Sequence, residues 1–329
     1  MRMKPWLKAT AAIWLIVLLL TLPLLSACGA EETAPTAPST PTATTPAEVS
    51  EFDVVKDAVA AYLANPAGNI KASDLHMKIA EGEAPYIVSL RNADDYAKGH
   101  IPGAVNVKFS ELTSLSKDKE IVVYCYTGQT ASFATAVLGV LGYDVQNLLH
   151  GMSSWSTDPD VYVKRFDPAM HQGDYKVETT PNEGGSYSLP QLDNTTSDDP
   201  DEILLAAAET VSPKYITASD LNMKIAEGEA MTIVSVRKAE DYAKGHIPGA
   251  INIGLSALVD SLNKINPDAP VYVYCYTGHT AAQTAALLQM LGYDAYSLKF
   301  GMCSWSGDTA VNAGKCFDAS TVQGYEVEK

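Results

Sequence analysis

Two six-residue stretches carry the clearest chemistry in this sequence. Cys125-Tyr126-Thr127-Gly128-Gln129-Thr130 and Cys275-Tyr276-Thr277-Gly278-His279-Thr280 each follow an apolar run and precede a helical pattern. A loop curling from a strand into a helix N-terminus turns several backbone N–H groups toward its centre, and the helix dipole adds partial positive charge there. A cysteine in that cradle is expected to favour the thiolate, the nucleophilic form. Gly128 and Gly278 permit the backbone angles of a tight cradle, and Thr127, Thr130, Thr277 and Thr280 offer hydroxyl donors. A free cysteine is most often a buried packing residue, but here cysteine, glycine and helix follow in the order an anion-binding loop needs.

The two loops differ at one position. His279 stands where the first copy has Gln129. A protonated imidazole beside Cys275 would favour its thiolate further, so Cys275 is expected to alkylate faster than Cys125 near pH ~6–7. A solvent-facing loop tip is the alternative for His279. His100 and His246 lie far in sequence from the cysteines and read as structural. Tyr126 and Tyr276 read as pocket walls, Trp155 and Trp305 as packing residues.

The elements that position these loops alternate between strand and helix. Residues 54–63 place apolar side chains at helical spacing. Ser73-Asp74 and Ser219-Asp220 are helix-start signals. Residues 86–90 and 121–124 are short apolar runs that suit buried parallel strands, and 145–149 reads as another strand. Residues 130–141 form a helical pattern stopped by Gly142. Strands separated by helices imply a parallel α/β sheet, in which ligands bind beyond the carboxyl ends of the strands. Cys125 and Cys275 fall at that edge.

The unit is written twice. Residues 72–107 and 218–253 are identical at 28 of 36 positions. The cysteine loops repeat, as do GMSSWS at 151–156 and GMCSWS at 301–306. The period is too long for a solenoid, so two self-sufficient domains are expected. The polar stretch 178–200 reads as a linker.

Composition sets limits around this picture. A chain of 329 residues, 47% hydrophobic and 19% charged, is globular and long enough for about two domains. It has five cysteines and no C-x-x-C pair, against a structural zinc site. No metal and no cofactor is expected. A formal charge of −16 argues against nucleic acid and against an anionic membrane surface as electrostatic partners.

The N-terminal residues read as an address. Arg2, Lys4 and Lys8 precede an apolar core that ends in Leu25-Ser26-Ala27-Cys28, which resembles a bacterial lipobox. That resemblance implies a signal peptide over 1–27, a lipid on Cys28, a Thr/Pro/Ala-rich tether over 28–48, and export to the bacterial cell envelope, at its periplasmic face or surface. An uncleaved membrane anchor is the alternative. The mature chain would hold 20 basic and 39 acidic residues, net −19. Its compartment would be oxidising. Cys303 and Cys316 have no counterparts in the first copy, where Ser153 and Arg165 stand. They read as a disulfide pair, with Cys303 as a resolving thiol for Cys275 the alternative.

In combination these motifs resemble the rhodanese family. Both copies carry GHIPGA (99–104 and 245–250), an arginine closing the second strand (Arg91, Arg237), the CYTG loop, and Gly-x-x-x-Trp (151–155 and 301–305). The resemblance implies an α/β chain of two tandem rhodanese-like domains, 49–177 and 201–329, each a five-stranded, mostly parallel sheet flanked by helices. It implies a sulfurtransferase in which Cys125 and Cys275 take sulfane sulfur from thiosulfate, polysulfide or a persulfide and pass it to cyanide or a thiol, a protein thiol included. The remaining loop residues would bind the persulfide. A sulfane-sulfur carrier or sensor with little turnover is the alternative. Related phosphatases use a loop one residue longer, closed by an arginine. The absence of Lys or Arg here argues against phosphoryl transfer and weakens the case for thiosulfate. The family's second strand usually ends Asp-x-Arg. Ser89 and Ser235 replace that acid, leaving the partner of each arginine open.

Overall fold

A computed structural model describes residues 50–329. The expected signal segment, the tether and Cys28 lie outside the described residues. The first copy runs α1 (Glu51–Ala64), β1 (Asn69–Ile70), α2 (Ala72–Ala80), β2 (Tyr86–Ser89), α3 (Ala93–Lys98), β3 (Val105–Asn106), β4 (Ile121–Tyr124), α4 (Gln129–Val140), β5 (Val145–Leu148), α5 (Met152–Trp155), α6 (Pro159–Tyr162) and α7 (Pro168–His171). The second runs α8 (Pro200–Glu209), β6 (Tyr215–Ile216), α9 (Ala218–Glu227), β7 (Thr232–Ser235), α10 (Ala239–Lys244), β8 (Ile251–Asn252), β9 (Val271–Tyr274), α11 (His279–Met290), β10 (Ala295–Leu298), α12 (Met302–Trp305) and α13 (Thr309–Asn312). Among the described residues no helix is long and apolar enough to cross a membrane.

Each copy builds a five-stranded sheet, in the orders β1-β5-β4-β2-β3 and β6-β10-β9-β7-β8. Every strand pair is parallel. All four residues of β4 and of β9 are buried, which is why their sequences are unbroken apolar runs rather than alternating ones. Both strands end at a cysteine loop, and the helix that follows returns over the sheet.

Those helices, α4 and α11, are buried on nearly every side. One face of each covers its own sheet, and the other packs against its counterpart. A helix apolar all round needs two such partners. Phe52, Val55 and Val59 of α1, Phe133 and Val137 of α4, Ile203 and Ala207 of α8, and Ala282, Ala286 and Leu287 of α11 belong to one hydrophobic core. The duplication gives two five-stranded units, one per copy, whose helices α1, α4, α8 and α11 share a hydrophobic core.

The ends of the copies are also exchanged. The polar stretch after α7, in part expected as a linker, lies along the second copy. Glu178 and His246 trade backbone hydrogen bonds at 3.0 and 2.9 Å, and Trp305 Nε1 donates to Lys176 O at 3.0 Å. Reciprocally, Trp155 Nε1 in the first copy donates to Glu326 O at 2.9 Å.

Candidate active site

Cys125 and Cys275 are the first residues after β4 and β9. Both are free thiols and both are buried. Gly128 and Gly278, the residues before α4 and α11, have φ of 80° and 91°, the left-handed conformation in which glycine carries no steric penalty. Gly278 N–H donates to Cys275 Sγ at 3.1 Å. Among the described residues no N–H donates to Cys125 Sγ, so the copies differ at the sulfur itself.

The loop's carbonyls are drawn outward, which leaves its N–H groups free to face the centre. Met152 N–H donates to Cys125 O at 2.9 Å and Ser153 N–H to Tyr126 O at 3.0 Å. Met302 and Cys303 do the same for Cys275 and Tyr276, at 2.9 and 3.0 Å. The approach is so close that a Cβ on Gly151 or Gly301 would overlap the cysteine carbonyl. This explains the glycine of the repeated Gly-x-x-x-Trp segment. The tryptophan packs, as expected: Trp155 and Trp305 are wholly buried.

Tyr126 and Tyr276 do more than wall a pocket. Tyr126 Oη donates to Asp95 Oδ2 and Tyr276 Oη to Asp241 Oδ2, each at 2.6 Å. Burial and the facing carboxylates push both phenols up to about 12. Lys98 and Tyr126 hold the Asp95 carboxyl below its usual range, as Lys244 and Tyr276 do for Asp241. Sequence reasoning missed these acids. Their recurrence at matched places in the two copies was the available signal. Arg91 and Arg237 are buried, and their terminal nitrogens donate to backbone carbonyls. Arg91 donates to the carbonyls of Gly99, Asp95 and Val161 at 2.7, 2.5 and 2.8 Å. Arg237 donates to those of Val311 and Gly245 at 2.7 and 2.6 Å. The buried Nε of each arginine has no hydrogen-bond partner among the described residues.

Cations reach the loops from outside them. Lys164 Nζ lies 4.4 Å from the centre of the Tyr126 ring and Lys315 Nζ 3.9 Å from that of Tyr276. These lysines occupy matching places once a one-residue offset is allowed. The sequence search considered only the six loop residues.

Thr127, Gln129, Thr130, Thr277 and His279 face the other copy. Thr130 Oγ1 bonds Tyr215 Oη at 2.9 Å, across the interface. Thr127, Gln129, Thr277 and His279 line one cavity with His150, Phe300, Phe166 and Phe317, and with Ser153 and Cys303 behind them. Its space for water centres is about 10 Å³, room for roughly one water. His279 is wholly desolvated, and burial first, then the nearby His150, push its imidazole down to about 3. It is neutral at pH ~6–7, and the expected imidazolium beside Cys275 is corrected. Its Nε2 points to the first copy, 3.0 Å from Thr127 O.

Cys303 and Cys316 are joined in a disulfide, and their Cα atoms are 5.5 Å apart. Cys303 is thus not a free thiol able to resolve Cys275. In the first copy Arg165 holds the same segment by donating to Ser153 O and Ser156 O at 2.8 and 2.6 Å. His100 and His246 stack on Tyr96 and Tyr242, with centroids 3.8 and 3.7 Å apart, in the structural role expected.

Residues 71–158 and 217–308 each match the rhodanese-like domain family. A thiosulfate sulfurtransferase (GlpE) of Pseudomonas putida is 33% identical over 84 residues, 25% of this chain and 76% of that protein. A tRNA sulfurtransferase of Pyrobaculum aerophilum is 37% identical over 71 residues, 22% of this chain and 15% of that one. The first curated relatives are spanned over 51%, 47% and 15% of their own length, about half or less. Among solved structures, a rhodanese-like domain protein from Staphylococcus aureus is 35% identical, with 28% of this chain and 90% of that chain covered, at a TM-score of 0.27.

Proposed function

The chain belongs to the rhodanese-like family, and from that premise we propose that it is a sulfurtransferase working through persulfides on both Cys125 and Cys275. The observation that carries this reading is the 3.1 Å hydrogen bond from Gly278 N–H to Cys275 Sγ at the N-terminus of α11. A donor placed there holds negative charge on sulfur, before and after a second sulfur is attached.

In the proposed cycle the cysteine thiolate attacks the outer sulfur of thiosulfate. The new S–S bond forms as the old one breaks, and sulfite leaves with the electron pair. The persulfide then gives its outer sulfur to cyanide or a thiol, and the thiolate returns. Polysulfides and low-molecular-weight persulfides serve as donors in the same way. Lys164 and Lys315 favour anionic donors over what the loops alone would allow. Burial of both thiols favours small donors, and it supports a second reading, a sulfane carrier of slow turnover.

The test is direct. The purified protein is incubated with thiosulfate or polysulfide, and the peptides of Cys125 and Cys275 are weighed for a gain of about 32 Da, one sulfur. Cyanide should remove it as thiocyanate over many turnovers. Labelling without turnover selects the carrier, and no labelling on either cysteine rejects both readings. We further propose that Cys28 carries lipid and holds the protein at the cell envelope. Loss of metabolic fatty-acid labelling in Cys28→Ser would support that, and retained labelling would reject it.

A further inference from the structure

We propose that His279 and Gln129 are positioning residues that work across the interface: His279, four residues past Cys275, braces the loop of Cys125, and Gln129, four residues past Cys125, braces that of Cys275.

The contacts are reciprocal. Gln129 Nε2 donates to Thr127 Oγ1 in its own loop at 3.2 Å, while Gln129 Oε1 accepts from Phe300 N–H of the other copy at 3.0 Å. His279 Nδ1 accepts from Thr277 Oγ1 in its own loop at 2.9 Å, while Nε2–H donates to Thr127 O of the other copy at 3.0 Å and lies 3.3 Å from His150 N. A neutral imidazole thus does much what the amide does, one nitrogen toward its own threonine and one hydrogen bond across the interface.

The two residues these side chains reach, Phe300 and His150, belong to unusual backbone. His150 and Phe300 have φ of 62° and 63°, a conformation that side chains rarely adopt. Each begins the turn that delivers Gly151 or Gly301 and then Met152 or Met302, whose N–H holds the cysteine carbonyl at 2.9 Å. Strained backbone persists only where its surroundings over-determine it, and here the surroundings include a side chain from the other copy. The chain of contacts runs from His279 to His150, through Gly151 and Met152, to Cys125. His279 also presses on the loop directly, since a Cβ on Gly128 would stand 2.6 Å from its Nε2.

This inference rests on Cys125 and Cys275 being the nucleophiles, but its test does not need sulfur transfer. The full chain is exposed to iodoacetamide for timed intervals, and the two cysteine peptides are quantified separately. His279→Ala should raise labelling of Cys125 by about fivefold, the equivalent of one lost hydrogen bond, and leave Cys275 within about twofold. Gln129→Ala should give the mirror image. His279→Gln should label like wild type at both sites, because an amide can donate to Thr127 O and accept from Thr277 Oγ1. His279→Asn, which keeps polarity without reach, should behave like alanine and covers the case in which the alanine variant does not fold. The proposal is overturned if the His279 variants alter Cys275 alone, both cysteines equally, or neither. A crossed labelling pattern without persulfide formation would sink the functional reading and leave this one standing.

Discussion

Glu328 of the second copy and His100 of the first exchange both backbone hydrogen bonds, at 2.8 and 2.9 Å. The Glu328 carboxylate also accepts from Gly103 N–H at 2.9 Å and lies 3.6 Å from His100 Nε2. Glu178 and His246 repeat the pair in the opposite sense, the segment after the first copy closing on the second. Each copy therefore ends on its neighbour, and the GHIPGA turn of each is completed from outside.

This exchange predicts a crossed effect of truncation. Removing residues 324–329 takes away the backbone partners of His100 and Trp155, which lie in the first copy. Each hydrogen bond contributes about 0.5–1.5 kcal/mol. Hydrogen exchange should show residues 96–104 losing protection while residues 242–250, still covered by Glu178, keep theirs. Loss confined to residues 242–250 would contradict the exchanged arrangement.

The interface histidines predict a pH dependence. Burial holds His279 at about 3 and His150 at about 4, below the value of about 6.5 expected once unfolded. Between about pH 4 and 6.5 the unfolded chain therefore binds more protons than the folded one, so stability is full above that window and falls as pH drops through it. Each histidine contributes at most about 1.4 kcal/mol per pH unit. Urea midpoints measured from neutral pH down to about 4.5 should decline, and His279→Gln should flatten the decline by roughly half. An unchanged slope in that variant would mean that the imidazole is already protonated in the fold.

How much of this was legible beforehand varied with what carried the information. The parallel sheets, the cysteine loops and the duplication are written in side-chain type and spacing, and each was readable. The partners of Arg91 are the carbonyls of Gly99, Asp95 and Val161, which every residue possesses, so no side chain announced them. The same holds for the exchanged ends, where Glu178 and Glu328 pair through backbone. The helical pattern of residues 130–141 was recognised, but its Phe133, Val137 and Val140 face was not identified as part of the core shared between copies. His279 was misjudged because sequence proximity placed it beside Cys275, whereas its desolvation and its partners come from the first copy. Its counterpart Gln129, an amide of similar reach, held the hint that charge was not what the position requires.

The last prediction concerns Gly151, which separates the two nucleophiles genetically. Its φ of 54° and ψ of −142° lie where side chains are essentially excluded, and a Cβ there would overlap Cys125 O and crowd Gly128 N. Gly151→Ala must therefore displace the loop of Cys125 or the turn that holds it, at about 1–3 kcal/mol. Gly301 has the same conformation, with a φ of 56°, against the loop of Cys275. In a persulfide assay read by peptide mass, Gly151→Ala should lower labelling of Cys125 by about tenfold or more, the effect of about 1.4 kcal/mol on a rate, and spare Cys275. Gly301→Ala should do the reverse. Equal loss at both cysteines in each variant would mean that the shared core transmits the displacement, and that the two loops operate as a single site.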